Sequence, residues 1–240
     1  YATMILIAQS MVRIGMLQEA RALLEQIPED SRTVEAHYAL GRLAMVEGNA
    51  EEAMSSFNNA DKASPHDPRV LSSMLMVDAA DGDVSDSAKK VDAALVVSPD
   101  SAALWRVRGL VNLRQRDIEK AEEAFLKSVE IDPGAVDNYA QLARIYAASG
   151  RLDRAIEQYD AAAKAQPSNG TIRHFLGVLY EMTGKPDLAQ QNYEKALELN
   201  SELAETKNNL AYMISQQEEG DLDRALRLAQ EAKAAMPDSA

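Results

Sequence analysis

The sequence predicts an all-α chain of seven tandem helical hairpins, and three observations predict it. Prolines stand at Pro65, Pro99, Pro133 and Pro167, each 34 residues after the last; the next step lands on Ser201, and Pro237 follows a two-residue insertion. Gly48, Gly82, Gly150 and Gly184 keep the same interval in a second phase, with Arg116 in the slot they skip and Gly220 displaced by an insertion around residues 216–219. Gly15 lies one residue short of the interval, which marks a deletion near Pro28. The third observation is composition: alanine, leucine and glutamate are plentiful and aromatics make up 5% of the chain, a balance that favours helix. At 240 residues the chain also exceeds the usual size of one globular core. A period of this length has a physical cause: two short helices joined by a tight turn each bury one stripe, and no isolated pair covers both.

Each hairpin is read in order against that interval. The fifth is the most regular, with Tyr139, Leu142, Ala143, Tyr146, Gly150, Ala155, Tyr159, Ala162 and Pro167 in sequence. The second runs His37, Leu40, Gly41, Ala44, Gly48, Ala53, Phe57, Ala60, Pro65, and the fourth Trp105, Arg108, Gly109, Asn112, Ala121, Phe125, Ser128, Pro133. In this pattern the chain resembles the tetratricopeptide repeat family along its whole length. The resemblance implies a right-handed α-solenoid with units at residues 1–33, 34–67, 68–101, 102–135, 136–169, 170–203 and 204–240. Glycine in the turn supplies a left-handed backbone, and proline directs the chain out of the second helix. Small residues such as Gly41, Gly109, Ala143, Gly177 and Ala211 are expected to let the first helix approach alanines of the second, such as Ala53, Ala121 and Ala155.

The third unit is degenerate. Leu75 replaces the small residue, Asp78 the tyrosine and Ser87 the alanine, so it is expected to pack differently and is a candidate hinge. Neither end carries the polar outer face of a capping repeat. Ile5, Leu6 and Val12 are expected to lie exposed on the first helix, with further repeats, a cap or an end-to-end contact covering both ends. The apolar start from Tyr1 to Leu17 is interrupted by Gln9, Ser10 and Arg13 and is too short to span a bilayer; it reads as a helix of a longer protein.

A net charge of −13 and a pI near 4.7 argue against nucleic-acid or membrane-surface binding, both of which draw on surplus Lys and Arg. The absence of cysteine removes disulfides, thiol catalysis and zinc–thiolate sites, and it suits bacterial cytoplasm and periplasm alike. His37, His66 and His174 lie in separate units with no second ligand at metal spacing, and His37 takes a bulky core position. The acidic run from Asp78 to Asp86 lacks the order of a calcium loop and reads as a solvated turn. The triplet Asn169-Gly170-Thr171 fits a glycosylation acceptor but falls in the turn between hairpins. No phosphate loop or nucleophile elbow is present, so no enzyme activity and no cofactor or metal are expected.

What remains is the surface that the first helices share. The resemblance implies a concave groove whose contact positions fall on Arg13, Tyr38, Arg42, Arg69, Met76, Arg106, Leu110, Arg114, Arg144, His174, Asn208 and Tyr212. Across the full set of such positions six arginines face four carboxylates, in a chain of net −13. Arginine grips carboxylates through its planar fork and methionine gives adaptable apolar contact. A protein or peptide partner of acidic character is therefore expected, lying against Arg42, Arg106 and Arg144. The Lys and Asn set that clamps a chaperone's terminal carboxylate is absent, with Gln9, Arg42 and Ser72 where matches would stand. The closing segment, Asn208 to Tyr212 followed by Gly220 to Leu226, is similar to late units of long bacterial tetratricopeptide proteins linked to envelope assembly and exopolysaccharide export. That points to an adaptor in a bacterial envelope or secretion complex. Two alternatives stay open: the recognition arm of a larger enzyme such as a glycosyltransferase, and a self-assembling scaffold.

Overall fold

The structure, a computed structural model, describes residues 1–217 and 220–235 and is helical throughout those residues. The insertion expected at residues 216–219 thus falls partly outside the described residues, as do Pro237 and Ala240. The chain forms two compact units, Tyr1–Ile131 and Asp132–Ala240. The division follows the fourth helix pair.

In the first unit the helices are α1 (Ala2–Arg13), α2 (Leu17–Glu25), α3 (Val34–Val46), α4 (Ala50–Ala63), α5 (Pro68–Asp81), α6 (Ser85–Val97), α7 (Ala102–Arg114) and α8 (Ile118–Ile131), with a 3-10 turn at Glu29–Ser31. The second unit has α9 (Val136–Ala148), α10 (Leu152–Ala165), α11 (Gly170–Met182), α12 (Pro186–Leu199), α13 (Ala204–Ser215) and α14 (Leu222–Ala235). Within each unit consecutive helices pair as antiparallel hairpins, and the second helix of one hairpin packs on the first helix of the next.

The ends of these helices are set by backbone chemistry. Thr33, Asp67, Ser101 and Asn169 cap α3, α5, α7 and α11, each side-chain oxygen accepting from a backbone N–H in the first turn. These caps stand in one register of the 34-residue repeat. The turns inside the hairpins need a left-handed residue, which Gly15, Gly48, Gly82, Gly150 and Gly184 supply at φ between 68° and 86°. Arg116 takes the same conformation at φ 61°, with a Cβ that disfavours it.

In three hairpins the atoms nearest to the small residue of the first helix belong to an aromatic ring of the second. A Cβ on Gly41 would lie 2.5 Å from the Phe57 ring, one on Gly109 2.7 Å from Phe125, and one on Gly177 2.4 Å from Tyr193. In these three hairpins the small residue therefore makes room for an aromatic ring of its own hairpin. The third hairpin inverts the arrangement. Leu75 takes the glycine position and Val91 the aromatic position, and both are buried. The two pairs carry the same number of side-chain carbons, differently distributed, and α5 and α6 pack less closely than the neighbouring pairs. The other departures in this hairpin are satisfied locally: Asp78 accepts from the Ser87 backbone N–H at 3.2 Å and from its hydroxyl at 2.5 Å. The acidic run thus spends its carboxylates on the turn. Asp83 accepts from the Ser85 N–H, and Asp86 pairs with Lys89.

Candidate partner-binding groove

In the first unit α1, α3, α5 and α7 line two adjoining concavities. One, of about 480 Å³, takes Gln9, Arg13, Tyr38, Arg42 and Arg69 among its walls; the other, of about 450 Å³, takes Tyr38, Arg42, Met76, Arg69 and Arg106. Tyr38, Arg42 and Arg69 belong to both, so the two read as one groove. The spacing follows from the repeat, because the same turn of each first helix is brought to the same side.

The arginines differ in what already holds them. Arg69 donates to Asp67 at 2.6 Å, approaches Glu35 at 3.8 Å and lies over the Tyr38 ring at 5.7 Å. That hydrogen bond from Arg69 holds the Asp67 carboxyl below its ordinary range, against the opposing effect of burial. Arg69 is thus largely neutralised within the chain. Arg13 donates to the Ser10 hydroxyl at 3.3 Å. Among the described residues no carboxylate pairs with Arg42 or Arg106. Tyr38 lines the same concavity, its ring 5.9 Å from that of Phe57 and its hydroxyl accepting from Ser73 at 3.5 Å. Met76 and Val46 add exposed apolar surface beside it.

The remaining expected contact residues are not brought into this groove. Leu110 packs against the core of the first unit, and Arg114 is exposed in the last turn of α7. Arg144, Asn208 and Tyr212 are exposed on α9 and α13 of the second unit. His174 departs from the expectation outright: it is 6% exposed, with Nδ1 2.9 Å from the Thr206 hydroxyl and its ring 5.9 Å from that of Tyr193. The incoming α13 covers it, which the register of a single hairpin does not reveal. Ile5 is likewise buried, whereas Leu6 is exposed. Leu6, Gln9 and Val46, absent from the expected set, line the groove; Gln9 and Val46 fall one helical turn from Arg13 and Arg42, and Leu6 two turns from Arg13. Asn169, of the glycosylation triplet, is engaged as the cap of α11 and donates to Gln166.

Burial lowers the His174 pKa below 6.5, with Glu205, 3.6 Å from Nε2, opposing it; burial and Arg32 lower that of His37. Each folded pKa lies below the unfolded one, so the unfolded chain binds protons first as pH falls through 6.5. Stability is complete above that pH and declines below it. The slope of the urea midpoint between pH 6.5 and 5 is expected to shrink in His174→Gln and shrink further when His37→Gln is added. An unchanged slope in both variants would refute the assignment.

A row of hairpins whose first helices share a groove of side chains, with no helix among the described residues long and apolar enough to cross a membrane, defines a helical-repeat interaction module. Family models described as Tetratricopeptide repeat match residues 5–68 and 77–136, and another so described matches residues 135–202. The chain belongs to the tetratricopeptide repeat family. BBSome complex member BBS4 of Mus musculus is 29% identical over 136 residues, 55% of this chain and 25% of that protein. Anaphase-promoting complex subunit 3 of Schizosaccharomyces pombe is 25% identical over 158 residues, 65% of this chain and 23% of that protein. The chain thus spans about a quarter of the length of these relatives. Among solved structures, yeast Tom70 superposes with a TM-score of 0.67 at 19% identity, over 93% of this chain and 49% of that one. Pseudomonas aeruginosa pilF does so at 0.60 and 18% identity, over 88% and 96%. These likenesses establish the fold, which in this family is generally a non-catalytic scaffold that binds proteins or peptides.

Proposed function

We propose that the chain is an adaptor that holds an acidic, extended segment of a partner protein along the groove of its first unit. The observation that carries this reading is the pair Arg42 and Arg106: two arginines without carboxylate partners, flanking one groove, in a chain of net −13. Unneutralised arginines on a surface otherwise dominated by carboxylates steer acidic ligands to one place. Arg144 offers a further cation in the second unit. Relatives named as members of a complex support a role in multi-protein assembly, and the wording of the closing hairpin supports a bacterial envelope or secretion setting. A second reading, the recognition arm of a larger glycosyltransferase, is favoured by Protein O-mannosyl-transferase TMTC1 of Homo sapiens, 24% identical over 72% of this chain and 20% of that protein.

The test is fluorescence anisotropy against a labelled peptide library of matched acidic and basic members. Acidic members are expected to bind, and Arg42→Glu with Arg106→Glu to weaken them roughly 10- to 100-fold while flattening the salt dependence. Unchanged affinity in the double variant, or selection of basic members, would place the partner elsewhere.

A further inference from the structure

We infer that the segment held in the groove carries a large apolar side chain between two acidic ones, with the apolar side chain seated over α5 and the acids facing Arg42 and Arg106. This rests on the acidic-segment reading above and specifies what that segment must contain. The order of the helices sets the order of the contacts. α5 packs against α3 on one side and α7 on the other. Arg42 is on α3, Met76 on α5 and Arg106 on α7, and all three line the concavity of about 450 Å³. The two cations therefore bracket an apolar middle.

That middle is only partly covered by the chain itself. Tyr38 and Met45 of α3 line the concavity while packing against the core of the first unit. Val46 and Met76 line it too, and they are 54% and 57% exposed. Because α5 has a first helix on either side, Met76 is open towards the groove and does not owe its exposure to an end of the sequence. Single exposed apolar residues are ordinary on a protein surface. Here two share one concavity with two arginines that no carboxylate neutralises. An acidic segment without an apolar residue would satisfy the charges and leave Val46 and Met76 facing water, whereas an apolar side chain seated between the acids removes that surface from water. The charges place the segment, and the apolar contact adds affinity that salt does not screen. Methionine is unbranched and polarizable, so the seat accepts leucine, isoleucine, methionine or phenylalanine without selecting one shape.

Helix packing also sets the spacing. With neighbouring axes about 8–10 Å apart, α3 and α7 lie about 16–20 Å from each other across α5. An extended chain advances about 3.3 Å per residue, so acids that face Arg42 and Arg106 stand about five or six residues apart.

Selection of a displayed library of random peptides on the 240-residue chain, followed by fluorescence anisotropy of the enriched peptides, tests the inference. Enriched peptides are expected to carry two acidic residues about five or six apart with a large apolar residue between them. Replacing that apolar residue with serine should weaken binding to the wild-type chain roughly tenfold or more. On the chain carrying Val46→Ser and Met76→Ser the same replacement should cost about twofold or less, because the seat it fills is gone. Both residues are exposed, so the circular dichroism and urea midpoint of that variant should stay close to wild type. Acidic peptides enriched without an apolar residue between the acids, or a serine penalty of full size in the double variant, would overturn this inference and leave the acidic-segment reading standing. Enrichment of basic or uncharged peptides, or of none, would overturn both.

Discussion

Gly41→Leu is expected to destabilise the first unit by about 3 kcal/mol, and Phe57→Val, itself destabilising by about 2 kcal/mol, is expected to offset most of that loss when combined with it. The added side chain begins at a Cβ that would lie 2.5 Å from Phe57 Cε1, and Phe57 is fully buried with no empty side to move into. Leucine's better helix propensity recovers only about 1 kcal/mol over glycine. Shortening the aromatic empties the space the leucine needs, and the chain already contains that solution in buried Leu75 and Val91. A double-mutant cycle read by urea denaturation should show a favourable coupling of about 2 kcal/mol, in the range of directly contacting residues. Additive losses would mean that Gly41 and Phe57 do not share one volume.

The same pair shows how far the sequence can be read. Turn glycines and exit prolines answer backbone demands that do not depend on a neighbour, so the 34-residue interval exposed the helices before any contact was known. The ring of Phe57 as the neighbour of Gly41 is not legible from spacing, which says which face a residue is on and not which side chain is long enough to meet it. A signal was nevertheless present: Gly41 with Phe57 becomes Leu75 with Val91 at the same two positions. Leu75 and Val91 fill the interior of the third hairpin, and Asp78 accepts from Ser87 across it. In the groove, the positions of Arg42 and Arg106 were legible from register. The neutralisation of Arg69 was not, since Asp67 does two jobs at once, capping α5 and holding that guanidinium. The burial of His174 comes from α13 of the following hairpin, a contact between units of the repeat that no single unit encodes.

Tyr193→Ala is expected to cost about 4 kcal/mol, the larger of the two stability effects, because this side chain serves three helices. Its ring fills the space that Gly177 of α11 leaves open, and no part of it reaches solvent. Its hydroxyl donates to Glu181 of α11 at 2.9 Å and accepts from Asn209 of α13 at 3.3 Å, joining the two hairpins. Burial, reinforced by the Glu181 carboxylate, pushes the phenol well above its ordinary pKa, so the group stays protonated and able to donate. Truncation removes both contributions, whereas Tyr193→Phe keeps the packing and loses the hydrogen bonds. That second variant is expected to cost about 1 kcal/mol, since Glu181 is exposed and regains water. Hydrogen exchange should locate the damage: amides of α11, α12 and α13 exchange faster in Tyr193→Ala, while those of α3 and α4 keep their wild-type rates. Equal losses in the two variants would assign the stability to the hydroxyl and not to the ring. A loss under 1 kcal/mol in Tyr193→Ala would mean that the hairpin can collapse onto Gly177, and that the aromatic is dispensable where the sequence repeats it.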